Sequence, residues 1–136
     1  MRLEAQVVIF ELEGVLYAID ILQVQEIMRY MEVTPVAESD YCTEGIINLR
    51  GQVIPVVSLA RRLGLPEKAP GQDTRIIVVE VCGKKSGLIV ERVLEVGSYS
   101  EGELEQHTDL GVKAPFLKGV LKKEKIWLLL NLDQVA

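Results

Sequence analysis

The sequence predicts an all-β protein made of two similar small sheets or barrels packed on each other. Four pairs of short, β-branched apolar runs are separated by turns at Gly14, Gly51, Gly83 and Lys123. Glycine takes the positive φ that a tight reversal requires, so three of these pairs are typical of hairpins. Helical periodicity is confined to short stretches near residues 21–25 and 59–63. Helices are therefore expected to be few and short.

Alternation and β-branched content set the expected strand positions. The predicted strands are residues 6–12, 15–19, 46–49, 53–57, 75–81, 85–90, 93–99, 116–121 and 125–132. Residues 66–73 (PEKAPGQD) are rich in structure breakers and mark the midpoint of the chain. Residues 100–112 are polar and predict a loop. Because Pro55 has no N–H to donate, its strand is expected at a sheet edge or a barrel corner.

The two halves of the chain resemble each other. Residues 10–14 (FELEG) match residues 79–83 (VEVCG) at an offset of 69 positions, and the same offset places Glu26 on Glu95. Two later matches have offsets of 74 and 73, namely Gly45-Ile46-Ile47 with Gly119-Val120-Leu121 and Ser58-Leu59 with Asn131-Leu132. A real repeat would produce two similar small barrels or sheets. Chance matching of aliphatic strands is the alternative.

Composition limits the class of protein. The chain has 136 residues, 49% hydrophobic but only 5% aromatic, which suits one domain with an aliphatic core. A net charge of −5 argues against nucleic acid and anionic membranes as partners. Cys42 and Cys82 lack a CxxC spacing and are expected to be reduced thiols. We find no signal peptide and no apolar run of roughly 18 residues, so we expect a cytoplasmic protein.

The residues show no catalytic constellation. The single histidine, His107, is insufficient for a typical zinc or iron site. Ser58 could be drawn into a triad with His107 and Asp109, but no nucleophile elbow surrounds it. The carboxylates Glu101, Glu103 and Glu105 are typical of a solvated charge run. No cofactor or metal is expected, and we do not expect an enzyme.

One charged pair stands out against apolar surroundings. Glu26 lies within QVQEIM, and Arg50 lies at the tip of NLRG. In one interpretation Asn48 caps the turn and both charges are simply exposed, where each contributes little. In the other, Glu26 and Arg50 pair and organise a recognition surface lined by Ile21, Val24 and Ile27.

Three stretches of the chain closely resemble the CheW family. They are YAIDILQVQEI, VTPVAESDYCTEGIINLRGQVIPVVSLARRLG and GLIVERVLEV, and the resemblance extends over residues 7–135. The resemblance implies a single CheW-like domain, 1–136, of two SH3-like five-stranded barrels. The first barrel would comprise approximately 1–34 and 91–136, with the second inserted at approximately 35–90. The chain has room for neither a kinase nor a receiver domain, so it resembles the stand-alone adaptor.

The resemblance also implies a function and a site. CheW-like adaptors couple chemoreceptor signalling tips to the histidine kinase CheA in membrane-associated arrays. Positions that match the family's receptor-binding groove are Val8, Ile21, Val24, Ile27, Gly45, Asn48 and Arg50, with Glu26 and Arg50 as the groove-organising pair. The kinase contact is expected mainly on the second barrel, without a residue assignment. The alternative from another class is a small β-barrel enzyme that uses Glu26 or a loop carboxylate.

Overall fold

The structure is a computed structural model, which describes residues 4–37, 41–105 and 116–135. The strands of these segments are β1 Glu4–Leu12, β2 Val15–Asp20, β3 Val24–Arg29, β4 Thr43–Leu49, β5 Gln52–Ser58, β6 Arg75–Val81, β7 Lys84–Val90, β8 Arg92–Ser100, β9 Leu104–Glu105, β10 Leu117–Lys122 and β11 Ile126–Leu130. The helices are α1 Leu59–Arg62 and α2 Leu132–Val135, with 3₁₀ turns at Ile21–Gln23 and Glu101–Glu103. The all-β prediction with few short helices is confirmed.

The strands form two sheets with the same pattern of strand pairing. The first sheet has the order β8-β1-β2-β11-β10-β9, and the second has the order β3-β6-β7-β5-β4. In each sheet two antiparallel hairpins meet through one parallel contact, β2 with β11 and β5 with β7. The fold is thus two SH3-like subdomains. The two-residue strand β9 makes the first sheet six-stranded rather than five-stranded.

The strand β3 lies in the second sheet. It pairs antiparallel with β6, from Val24 opposite Val79 to Arg29 opposite Arg75. The expected boundary near residue 34 placed this strand in the first barrel. Instead, the chain passes from one sheet to the other through the 3₁₀ turn Ile21–Gln23. The side chain of Asp20, the last residue of β2, accepts a hydrogen bond from the Leu22 amide and caps this turn, so β2 ends there.

The internal repeat extends to the register of the strands. Phe10 lies opposite Val93, and their repeat equivalents Val79 and Val24 also lie opposite each other. Both pairings contain a β-bulge at the next residue. Since β3 follows the first hairpin but pairs in the second sheet, and β8 does the reverse, the two halves of the chain exchange their third strands.

The same repeat appears at the two α-helices. The Ser58 hydroxyl accepts a hydrogen bond from the Arg61 amide at 3.3 Å, which caps α1. The Asn131 side-chain oxygen accepts one from the Asp133 amide at 3.2 Å at the start of α2. These two residues were matched in the sequence, so equivalent strands end in equivalent helical turns.

The buried core of the described residues consists of three clusters of mainly aliphatic side chains. The largest lies between the sheets and includes Phe10, Tyr17, Ile77 and Leu88. One smaller cluster belongs to the second sheet and another to the first. Neither Cys42 nor Cys82 forms a disulfide, as predicted; Cys42 is partly buried and Cys82 is exposed.

The carboxylate of Glu103, in the 3₁₀ turn Glu101–Glu103, makes the stability of the fold depend on pH in the acid range. Glu103 accepts hydrogen bonds from the Lys123 ammonium at 2.7 Å and the Ser100 amide at 2.8 Å. These contacts lower the pKa of Glu103 from 4.5 to about 2. Because the folded-state pKa is depressed, the contribution of ionised Glu103 to the stability of the fold is complete above pH 4.5 and is lost as the pH falls towards 2. We expect a carboxyl NMR titration of Glu103 to have its midpoint near 2.

The variant Glu103→Gln tests the same linkage by thermal melts. Its deficit in melting temperature relative to the unmodified chain should be full at pH 7 and shrink between pH 4.5 and 2. Glu101→Gln is the matched control, because Glu101 lies in the same 3₁₀ turn and forms no ion pair with the described residues. A deficit in Glu103→Gln that is constant with pH would contradict the assignment.

Candidate functional site

The turn between β4 and β5 holds the candidate site. Arg50 and Gly51 have φ values of 50° and 85°, which is the pattern of a type I′ turn between antiparallel strands. The Asn48 side-chain oxygen accepts a hydrogen bond from the Gly51 amide at 2.9 Å. Asn48 therefore caps the turn, as one of the two interpretations of the sequence proposed.

Arg50 and Glu26 form an ion pair across the gap between the turn and β3. The Arg50 guanidinium donates a hydrogen bond to the Glu26 carboxylate. This hydrogen bond and, to a smaller extent, the negative charge of Glu26 raise the pKa of Arg50. The Glu26 side chain is 29% exposed and that of Arg50 is 73% exposed, so the pair lies at the surface. The predicted proximity of the two residues is confirmed.

The pair lines a groove on the second sheet. The groove has a volume of about 260 Å³ and is lined by Gln25, Glu26, Leu49, Arg50, Gln52, Val78 and Lys85. Lys85 donates a hydrogen bond to the Gln52 side chain at 3.3 Å. The sequence did not identify Gln52 or Lys85, because they reach the site through strand pairing that no local pattern encodes.

Val24 and Ile27 lie on the opposite face of β3 from Glu26. They pair with Val79 and Ile77, which belong to the core between the sheets, whereas Glu26 pairs with Val78 of the second-sheet cluster. The bulge between Val24 and Glu26 shifts the alternation by one residue. The second interpretation of the sequence had expected the charged pair and these apolar residues on a single face, and the structure does not place them on one.

The other predicted contact residues differ in their accessibility. Ile21 and Val24 are partly buried against the central core, and Ile27 is 41% exposed. Val8 is 2% exposed within that core, so it is unavailable for direct contact with a partner. Gly45 is also buried, at a φ of 152°, where a Cβ atom would collide with the carbonyl oxygen of Thr34.

Several exposed apolar side chains escaped prediction. Val96 on β8 is the repeat equivalent of Ile27, and Ile126 on β11 is the equivalent of Val53 on β5; all four are exposed. The repeat therefore places exposed apolar side chains at equivalent positions of the two sheets. The repeat offset could have identified Val96 and Ile126 once the exposure of their partners was known.

A second cavity, of about 160 Å³, lies between α1, β7 and residues 67–70. Its charged groups are already paired within the chain. Arg61 forms ion pairs with Glu44 and Glu67, and Lys68 lies 3.5 Å from Glu91. These pairs brace the segment that joins the two halves, so we assign the cavity a structural role.

The described residues provide no arrangement for catalysis. Ser58 is buried and caps α1, while His107 and Asp109 lie outside the described residues. Glu103 and Glu105 form ion pairs with Lys123 and Lys122. Within residues 4–37, 41–105 and 116–135, no group of three or more His, Cys, Asp or Glu side chains is placed to hold a metal ion. Nor does any helix there have the length and apolar character needed to cross a membrane.

Two SH3-like subdomains with exposed apolar side chains and a polar-rimmed groove define a protein-binding domain. The family model for the CheW-like domain matches residues 6–136. The chain belongs to the CheW-like family, whose members are scaffold and adaptor proteins rather than enzymes.

Relatives and a solved structure support this membership. The chain is 31% identical to the chemotaxis protein CheW of Thermotoga maritima, over 97% of this chain and 87% of the relative. It is 29% identical to chemotaxis protein CheW of Treponema pallidum, over 91% and 76% of the two chains. The crystal structure of the scaffolding protein TtCheW from Thermoanaerobacter tengcongensis matches with a TM-score of 0.88 and 34% identity, over 97% and 87%.

Proposed function

We propose that this chain is a chemotaxis adaptor that couples chemoreceptor signalling tips to the histidine kinase CheA. The Glu26–Arg50 pair carries this proposal, because it joins the family hairpin EGIINLRGQVIPVV to β3 beside an exposed groove. The groove is lined mainly by polar and charged side chains, with Leu49 and Val78 as its apolar residues, and an exposed groove of this kind can accept one face of a helical receptor tip.

The adaptor needs a separate surface for each partner. The proposed receptor surface comprises Arg50, Glu26 and the groove beside them, and it reaches Ile27, on the opposite face of β3, only around the outer edge of that strand. The kinase uses another face of the second barrel. Individually weak contacts would add when many copies assemble. The proposed coupling role would put the protein in the cytoplasm, beside membrane chemoreceptor arrays. It makes no insertion into the membrane and binds no nucleic acid.

The experiment is a set of titrations with the purified full-length chain. A receptor signalling fragment and the CheA regulatory domain are titrated separately, and each is then titrated against the preformed complex of the chain with the other partner. We expect both to bind, with neither displacing the other. Failure of either partner to bind, or mutual displacement, would overturn the proposal.

A further inference from the structure

Three hairpins of the described chain end in turns of the same geometry. The turns Glu13-Gly14, Arg50-Gly51 and Cys82-Gly83 place the first residue at a φ of 50° to 52° and the glycine at a φ of 74° to 85°. The left-handed conformation is unfavourable for an L residue other than glycine. All three turns therefore carry a similar backbone cost.

Of these three described turns, only Arg50-Gly51 has a side chain that caps its glycine. Asn48, two residues before the turn, accepts the Gly51 amide hydrogen bond at 2.9 Å. Glu11 and Glu80 occupy the same place before the other two turns, and neither bonds to its turn glycine among the described contacts. In the first turn the Glu13 amide donates to the Glu91 carboxylate at 3.1 Å, but the Cys82-Gly83 turn keeps the same geometry with no side-chain bond to either turn amide among the described contacts. The Asn48 hydrogen bond is therefore not needed to form a turn of this kind.

The capped turn is also the one whose leading residue forms the ion pair of the site. Asn48 lies on β4 opposite Val53, so its hydrogen bond ties the tip of the turn to the paired strands below. We infer that Asn48 is a positioning residue, which holds the turn so that Arg50 reaches Glu26. In this role it makes no contact with the partner itself. The inference rests on the proposed receptor-binding function.

A double-mutant cycle on the full-length chain tests this role. Asn48→Ala should weaken receptor-fragment binding by roughly 3- to 10-fold, the effect of one lost hydrogen bond. In the background of Arg50→Ala the same substitution should cause no further loss, because Asn48 acts through Arg50. Asn48→Asp retains the acceptor oxygen and should restore most of the affinity. Glu11→Ala, at the equivalent place in the first hairpin, is the matched control and should bind normally.

Hydrogen exchange of the Gly51 amide supplies a readout that does not depend on the receptor. We expect protection to fall in Asn48→Ala and to persist in Asn48→Asp, with the Gly14 and Gly83 amides unchanged. Additive losses in the cycle, or normal receptor binding by Asn48→Ala, would overturn the inference. If the unmodified chain failed to bind the receptor fragment, the proposed function would fail. The Gly51 exchange and the NMR signal of the Arg50 guanidinium would then still decide whether Asn48 positions Arg50.

Discussion

Substitution of Arg50 by alanine is expected to weaken receptor-fragment binding by roughly 30-fold or more, because the groove loses its organising pair and leaves Glu26 without its partner at the interface. The fold should barely respond. Arg50 is exposed and exposed ion pairs contribute little to stability, so we expect the melting temperature to fall by less than about 4 °C. The measurements are titration calorimetry with the receptor fragment and thermal melts of the same samples.

Two other variants separate the pair from general charge. Arg50→Lys keeps the positive charge but loses the planar fork of donors, so its affinity should lie between those of the unmodified chain and Arg50→Ala. Lys85→Ala removes another cation from the same groove. Because Lys85 bonds to Gln52 rather than to Glu26, this variant should weaken receptor binding less than Arg50→Ala does. Kinase binding should be nearly unchanged in all three. Equal weakening of both partners, or a melt that collapses, would assign Arg50 a purely structural role.

The hairpins could be predicted because their information is local. Each turn follows a β-branched run, and the glycine at each two-residue turn has the positive φ that the sequence implied. Pro55 illustrates the limit of this reasoning. Its strand β5 is internal, between β7 and β4, so of the two expected positions the sheet edge is wrong, and the barrel corner stays a prediction. The missing N–H is tolerated because parallel pairing with β7 begins only at Val56.

The exchange of third strands between the halves could not be predicted. The repeat offset correctly identified β3 and β8 as equivalents, but equivalence does not say which sheet each strand joins. That choice depends on packing between segments that are distant in the chain. The expected barrel boundary therefore assigned β3 to the wrong sheet, although the sequence repeat matches even the pairing register of β3 and β8.

The candidate site was predicted in part for similar reasons. The pairing of Glu26 with Arg50 matched a family position, and the structure places them in contact. The face they share could not be derived, because the bulge in β3 inserts one residue and reverses the alternation beyond it. Val8 was assigned to the groove only because its position matches the family's groove, and its apolar strand context does not indicate which face of β1 is buried.

Gly45 is the site residue whose substitution should damage the fold most. It lies beside the bridge in which Thr34 and Ile46 exchange two backbone hydrogen bonds, each of 2.9 Å. A Cβ at Gly45 would overlap the carbonyl oxygen and carbon of Thr34, and a φ of 152° is itself strained for any other residue. An alanine there must displace the extended segment around Thr34 and break the bridge.

We therefore expect Gly45→Ala to lower the free energy of unfolding by about 3 kcal/mol or more, as measured by urea denaturation. Gly83→Ala is the matched control, because Gly83 also has a positive φ, 77°, but no atom lies within 4 Å of the place that its Cβ would take. It should cost about 1 kcal/mol, the strain of the backbone alone. Equal losses in the two variants would show that the Thr34 segment moves aside easily. If instead Gly45→Ala loses more stability than Gly83→Ala, it can still bind the receptor fragment less in a raw titration, because part of it is unfolded. That weakening should disappear once the titration is corrected for the unfolded fraction, since a buried glycine offers the partner no side chain to bind.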